Sequence, residues 1–364
     1  MADLIGNFSS KLSSFFPFGR KSAVGLSIGS SSIKLVELVK KGKVWKLLHF
    51  GVVQLPEEVV VNREIVNPVA LVECIKTLVN QMQLKNRQVC TSISGNSVIV
   101  KKLTLEGAEL KDLQDQVFWE AEQYLPFDIS EVTMDYHLVS HIPGGKTEVI
   151  FVAVKNAVLD SYLDCVSKAG LRPSVVDVDF FALQNLFEVN YPVQPSEAVA
   201  LVDLGASSLK IVVVADGVPI FTKDTALGGR TLTEEIERTL SLPFGDAEAL
   251  KIGDGGGGTP QEVTDLVTSM MENIAVEVKK SLDFYHASSS GPLISSVLLA
   301  GGGAQLSNLS KSIEELVGLP TQMINPFNAI AYSPDVFAPD YLNRIAAIAA
   351  VPIGLALRAG AGGR

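Results

Sequence analysis

Leu26-Ser-Ile-Gly-Ser-Ser-Ser-Ile-Lys-Leu-Val36 and Val202-Asp-Leu-Gly-Ala-Ser-Ser-Leu-Lys-Ile-Val212 align without a gap at an offset of 176 residues. Five of the eleven positions are identical: Gly29 on Gly205, Ser31 on Ser207, Ser32 on Ser208, Lys34 on Lys210 and Val36 on Val212. The apolar positions also correspond, Ile28 with Leu204, Ile33 with Leu209 and Leu35 with Ile211. Each copy reads as a strand, a tight Gly/Ser turn and a second strand. Hairpins resemble one another in general, but identity at this density, half a chain apart, reads as a duplicated lobe. Such a duplication sets one turn from each half against a shared cleft.

Turns of this composition suit phosphate. Glycine lets the backbone approach closely, and successive N–H groups make a concavity for anions. Gly29, Ser30, Ser31 and Lys34 in the first copy, with Gly205, Ser207, Ser208 and Lys210 in the second, are the candidate ligand residues. Asp203 either holds a hydrated magnesium ion beside the phosphates or hydrogen-bonds its own turn. Two further glycine clusters strengthen the nucleotide reading. Asp224-Thr-Ala-Leu-Gly228-Gly229 precedes a helical stretch, and Val297-Leu-Leu-Ala ends in Gly301-Gly302-Gly303. A buried strand running into glycines before a helix start lets a ribose, base or phosphate press on backbone.

The composition bounds the function. Forty acidic against thirty basic residues, a formal net charge of −10, argue against nucleic acid as a partner. Cys74, Cys90 and Cys165 are too sparse for a disulfide framework, and His137 and His141 precede Pro143-Gly144, which favours a strand end over a metal helix. No stretch reads as a membrane span; the nearest, Ile345–Leu357, is Ala-rich and broken by Pro352 and Gly354, so a buried terminal helix is expected. The start lacks the pattern of a signal peptide, which favours the cytoplasm.

In order and spacing these motifs resemble the phosphate-1, phosphate-2 and adenosine motifs of the actin, Hsp70 and sugar-kinase superfamily. Within it the chain is most similar to the PilM family of type IV pilus assembly proteins. That likeness is carried by Val24–Leu38 and by Trp119-Glu-Ala-Glu-Gln-Tyr-Leu-Pro-Phe127 and runs from about residue 22 to 358. It implies an α/β, duplicated ribonuclease H-like, two-lobed actin-like fold with FtsA-type subdomains. The expected division is a tail over 1–21, subdomain 1A over 22–90 and 166–198, an inserted 1C over 91–165, 2A over 199–230 and 296–364, and 2B over 231–295. The resemblance also implies ATP with Mg²⁺, contacts at Gly228, Gly229, Gly301, Gly302 and Gly303, and Asp179 or Asp177 as a water-orienting carboxylate. Asn325-Pro-Phe-Asn-Ala-Ile-Ala-Tyr332 resembles the segment that follows the adenosine motif.

As to function, the resemblance implies a cytoplasmic scaffold docking the N-terminal peptide of PilN in a groove between 1A and 1C. Contacts with the motor ATPases PilB and PilT, with the platform protein PilC, and in a ring-forming homo-oligomer belong to the same expectation. The alternatives are a small-molecule kinase of the superfamily, for which no sugar-binding signature stands out, and an FtsA-like filament former, which carries a C-terminal amphipathic helix. One departure matters: the superfamily has an acidic residue where this chain has Ser27, so ATP binding is expected with slow or absent hydrolysis.

Other stretches keep two readings. Ile5, Phe8, Leu12, Phe15 and Phe16 belong either to a partly ordered tail or to a surface-binding helix. Phe118 and Trp119 beside a Leu110–Tyr124 helix face are either core or a binding surface. Gly253–Gly258 lacks the lysine ending of a phosphate loop and reads as a surface loop. On the long helix expected over 260–287, Glu277 and Lys280 either reach a ribose or sit on a solvated face.

Overall fold

The computed structural model describes residues 22–361, apart from 96, 193–194, 254–257 and 290. The N-terminal tail and most of the Gly253–Gly258 stretch therefore lie outside the described residues.

Strands β1 (Ser22–Ile28), β2 (Ser32–Lys41) and β3 (Val44–Gln54) form an antiparallel meander. A ribbon of β4 (Val60–Val61) and β5 (Glu64–Ile65) leads to α1 (Pro68–Gln81). Helix α1 starts where Pro68 presets the first-turn φ and Asn67 Oδ1 accepts from the Ala70 N–H at 3.1 Å. β6 (Gln88–Ile93) then runs parallel to β1.

Here the chain leaves the sheet. β7 (Val98–Glu106), α2 (Leu113–Glu122), β8 (Val132–His141) and β9 (Lys146–Lys155) build a separate three-stranded sheet of order β7-β9-β8 backed by α2. Leu113, Val117 and Ala121 of α2 are buried with Val149 and Phe151. Leu110 and Tyr124 fall outside the helix and are exposed. Trp119 is 70% exposed and so is not core, whereas Phe118 is half-buried and meets Tyr136 edge-on. α3 (Asn156–Lys168) and β10 (Arg172–Val178) return the chain to the first sheet, with β10 parallel to β6.

α4 (Asp179–Asn190) crosses to a second sheet that repeats the first. Its meander is β11 (Ala198–Leu204), β12 (Leu209–Ala215) and β13 (Val218–Thr225). α5 (Gly229–Leu240), α6 (Phe244–Ile252) and α7 (Gln261–Ser288) precede β14 (Ile294–Ala300), which is parallel to β11. α8 (Leu309–Val317), β15 (Thr321–Met323), the short β16 (Ile330–Ala331) and α9 (Pro339–Ala361) complete the described chain. The sheet orders are β10-β6-β1-β2-β3-β16 and β13-β12-β11-β14-β15. With β16 set aside, each is a meander followed by two parallel strands, which is the expected duplication.

Strand alternation distributes the core. Val24, Leu26, Ile33 and Leu35 face α1 and α3, while Val36 and Leu38 face a central layer of α4 and α9. In the second sheet Val202, Leu204, Ile211 and Val213 face the layer holding α5, α7 and α8, while Leu201 and Val212 face α4 and α9. Both sheets are thus buried on two faces, with two helices between them. α9 runs 23 residues and, by length and composition, is apolar enough to cross a membrane, which corrects the sequence expectation that no stretch qualifies. It is instead wedged between the sheets. At Gly354 an added Cβ would lie 1.8 Å from the Ala182 carbonyl oxygen of α4, so glycine permits the helix crossing.

Candidate nucleotide-binding cleft

The inner-face residues at the ends of the two meanders are Ser27 opposite Lys34 and Asp203 opposite Lys210. Both connecting turns close the same way. Gly29 N–H donates to Ser32 C=O at 3.0 Å, and Gly205 N–H to Ser208 C=O at 2.8 Å. The turns confront one another across a cleft of about 800 Å³, and Ser30 Oγ and Ser207 Oγ are 2.6 Å apart.

Gly29, Ser30, Ser31, Lys34, Asp203, Gly205, Ser207, Ser208, Lys210, Gly229, Gly301, Gly302, Gly303 and Asp179 all line this cleft. The Gly228-Gly229-Arg230 turn rests on the second phosphate turn through Gly229 N–H to Gly205 C=O (3.0 Å) and Arg230 N–H to Ala206 C=O (2.7 Å). Gly228 does not line the cleft. Its Cα packs so tightly that a Cβ would meet the Ala206 carbonyl oxygen at 2.3 Å. At Gly301, φ is +85° and a Cβ would stand 2.3 Å from the Leu204 carbonyl oxygen, which fixes how closely β14 abuts β11.

Glu277 and Lys280 are not lining residues. Glu277 accepts from Lys223 Nζ at 2.9 Å, and Lys280 is exposed on α7, so the helix phase turns both from the cleft. Of the two competing carboxylates, Asp179 lies in the cleft, at the first turn of α4. Asp177 lines a different cavity.

The cleft is dominated by one buried charge cluster. Lys210 Nζ is 2.8 Å from Asp179 Oδ2 and 3.1 Å from Asp203 Oδ2, and Ser92 Oγ donates to Asp179 Oδ1 at 2.5 Å. Burial alone would raise the Asp179 pKa, but Lys210 and the hydroxyl donors outweigh it and hold it at about 2. Burial likewise opposes the Lys210 charge, and the two carboxylates win, raising it above the ordinary 10.5. At Lys34 burial prevails and lowers the pKa, although Asp203 and Asp179 act to raise it, and its Nζ donates to Ser32 Oγ at 2.8 Å.

Sequence reading missed several cleft residues. Arg63, in the β4–β5 turn at φ +68°, pairs through both guanidinium nitrogens with Asp224 of β13, joining the two lobes. Lys251 Nζ donates to Gly229 C=O at 3.2 Å and pairs with Glu248 at 2.5 Å. Ser92, Ser94 and Tyr162 enter from the first lobe, and Ala347, Ile348 and Val351 from α9.

A second groove, about 580 Å³, runs between β8 and β10. Both strands are edges of their sheets and border the groove. Its floor carries Phe181, Gln184 and Asn185 of α4, with the Gly217–Pro219 turn of the second lobe and Arg358 of α9 at its rim. Asp177 lies here, its pKa raised to about 6 because desolvation outweighs the Val178 N–H donated to it.

Two lobes of this repeated topology, with facing turns over a central cleft, define the actin-like fold. A solved ethanolamine utilization protein EutJ from Carboxydothermus hydrogenoformans shares it at a TM-score of 0.59, with 17% identity over 94% of this chain and 91% of that one. The chain belongs to the type IV pilus assembly protein PilM family, whose sequence profile matches residues 25–360. A chain of a solved PilM–PilN type IV pilus biogenesis complex superposes at a TM-score of 0.83, with 28% identity over 94% of this chain and 99% of that one. The cell division protein FtsA of Escherichia coli is 22% identical over 261 residues, 65% of this chain and 61% of FtsA, so the chain spans under two thirds of that relative.

Proposed function

We propose that this protein is a nucleotide-binding scaffold of the type IV pilus inner-membrane platform. It holds ATP in the cleft and the N-terminal cytoplasmic segment of a PilN-type membrane protein in the β8–β10 groove. The observation that carries the docking role is that groove: two open strand edges flank it, and an extended peptide can pair its backbone with either while side chains fill the floor. The solved PilM–PilN complex, covering 99% of its chain, supports the choice of partner. Val139 of β8 and Val176 of β10 add apolar side chains to the groove from its two edges.

In the cleft the facing turns would hold the phosphates, and the lining also carries the apolar side chains Val267, Ile252 and Leu306, which suit a base. Asp179 is engaged by Lys210 and Ser92, so it is not free as a general base, which supports slow turnover over the kinase reading. Recruitment to the membrane by its partner, in the cytoplasm, and contacts with PilB, PilT and PilC complete the proposal.

The test is calorimetric titration of the full chain with a synthetic PilN-type N-terminal peptide. Affinity of roughly micromolar order is expected, since a free segment must order on binding. Val176→Arg, which intrudes on the groove from a half-exposed edge position, should weaken it at least about tenfold, a loss of about 1.4 kcal/mol. No binding to the wild type, or unaltered binding to the variant, would refute the docking site.

A further inference from the structure

Behind the cleft the two lobes share the α4–α9 layer, and across the facing turns Ser30 Oγ and Ser207 Oγ are 2.6 Å apart. Arg230 Nη2 adds a long hydrogen bond, 3.4 Å, to the Ser30 carbonyl oxygen. A further tie between the lobes is ionic. Arg63 of the first lobe donates from both terminal guanidinium nitrogens to the two carboxylate oxygens of Asp224 in the second. The two side chains are 14% and 18% exposed, so water and salt screen the pair little. Asp224 is the cross-strand neighbour of Lys210, which sets the pair beside the charge cluster of the cleft.

The chain around Arg63 supports this reach. Asn62 and Arg63 make the two-residue turn between β4 and β5, at φ +50° and +68°. The second position of such a turn favours glycine, and an arginine there holds its backbone in the left-handed region at a cost. Contacts made away from the turn offset that cost. Tyr162, itself buried, donates from its hydroxyl to the Arg63 carbonyl oxygen at 3.1 Å. Gly95, at φ +107°, leaves room for the arginine stem: a Cβ there would stand 2.6 Å from Arg63 Cδ.

We infer that the Arg63–Asp224 pair is a latch on the cleft, which must break for a nucleotide to enter or leave and so sets the rate of exchange. The inference rests on the nucleotide reading of the cleft and names how that site is regulated. Two hydroxyls that donate to one phosphate oxygen stand more than about 4 Å apart, whereas Ser30 and Ser207 are at 2.6 Å. A phosphate held between the turns therefore displaces that bond, and passage of a whole nucleotide parts the lobes further. Any rotation that carries β13 away from the β4–β5 ribbon stretches the ion pair, because one partner is fixed to each. With its guanidinium taken up by Asp224, Arg63 acts on the lobes and not on the ligand. The latch thus slows passage in both directions and leaves the binding equilibrium nearly unchanged.

Two measurements on the full chain test this, with the folding of each variant checked by urea denaturation. Hydrogen exchange of the free protein, read by mass spectrometry over residues 27–34 and 203–210, reports opening at the two turns. Arg63→Asn, which suits a left-handed turn, and Asp224→Asn should each speed that exchange at least about fivefold. Stopped-flow association and chase of a fluorescent ATP analogue should show both rate constants raised at least about fivefold, with Kd within about threefold of wild type. The double variant should match the single ones, since one interaction is lost in all three. Unchanged hydrogen exchange, or effects that multiply in the double variant, would overturn the latch. Nucleotide rates that stay at the wild-type values, or a Kd raised through dissociation alone, would overturn its control of exchange and leave the nucleotide reading standing. Absence of analogue binding to the wild type would overturn the nucleotide reading and the control of exchange together, and hydrogen exchange would still decide whether the pair holds the lobes closed.

Discussion

Asp179→Asn isolates the charge cluster at the base of the cleft. The carboxyl pKa falls from an ordinary 3.8 to about 2 in the folded protein, chiefly because of Lys210. At 1.36 kcal/mol for each pH unit, that depression corresponds to about 2 kcal/mol of stability. Because the folded value is the lower one, this stability is fully present above pH 3.8 and is lost as pH falls towards 2. The amide keeps an acceptor for Ser92 but loses the charge, and Lys210 retains Asp203 at 3.1 Å, so the loss stays below the ~3–5 kcal/mol of a fully broken buried pair. The variant should therefore be about 2 kcal/mol less stable than wild type at pH 7, and the gap should close between pH 4 and pH 2. Urea denaturation followed by far-UV circular dichroism at a series of pH values measures it. A gap that persists undiminished at pH 2, or none at pH 7, would refute the ion-pair account.

Asp177 has the opposite sign: its pKa is raised to about 6, so its ionised form costs stability at pH 7 and that cost is relieved as pH falls from 6 to 3.8. Asp177→Asn should stabilise the protein at pH 7 by about 1–2 kcal/mol and flatten the pH profile between 7 and 4, read from the urea midpoint. Gly354→Ala places a methyl 1.8 Å from the Ala182 carbonyl oxygen, forcing α9 away from α4. A destabilisation of about 3 kcal/mol or more is expected, and a thermal midpoint equal to that of wild type would contradict the packing described.

The paired hairpins were legible because their register, glycines and lysines all lie within eleven contiguous residues. The Gly301-Gly302-Gly303 strand end was legible for the same reason, since a buried apolar run ending in glycine has a local cause. Arg63 was not: it sits in a two-residue ribbon turn with no periodicity, and only tertiary packing brings it to Asp224, 161 positions away. Lys251 and the α9 residues Ala347 and Ile348 likewise reach the cleft through chain folding alone. Glu277 shows the converse failure. Its proximity in sequence to the expected site said nothing of helix phase, and on α7 it turns to Lys223. The choice between Asp177 and Asp179 needed the structure too, because β10 ends and α4 begins between them, and that change of period sends the two carboxylates into different cavities.

That divergence has a wider geometric meaning. α4 carries Asp179 into the cleft at its first residue and Phe181, Gln184 and Asn185 into the β8–β10 groove within its next two turns. α9 does the same in the other direction, presenting Ala347, Ile348 and Val351 to the cleft and Arg358 to the groove. The two central helices are locked together where Gly354 meets Ala182, in a layer packed on both sides by sheet. Interiors of this density shift as units and not residue by residue. A ligand that altered the spacing of the two lobes would therefore have to move the α4–α9 pair against one sheet or the other, and with it the floor and rim of the groove. The Gly217–Pro219 turn, which belongs to the second lobe yet borders a groove built mainly from the first, is the point where such a displacement would first reach that groove.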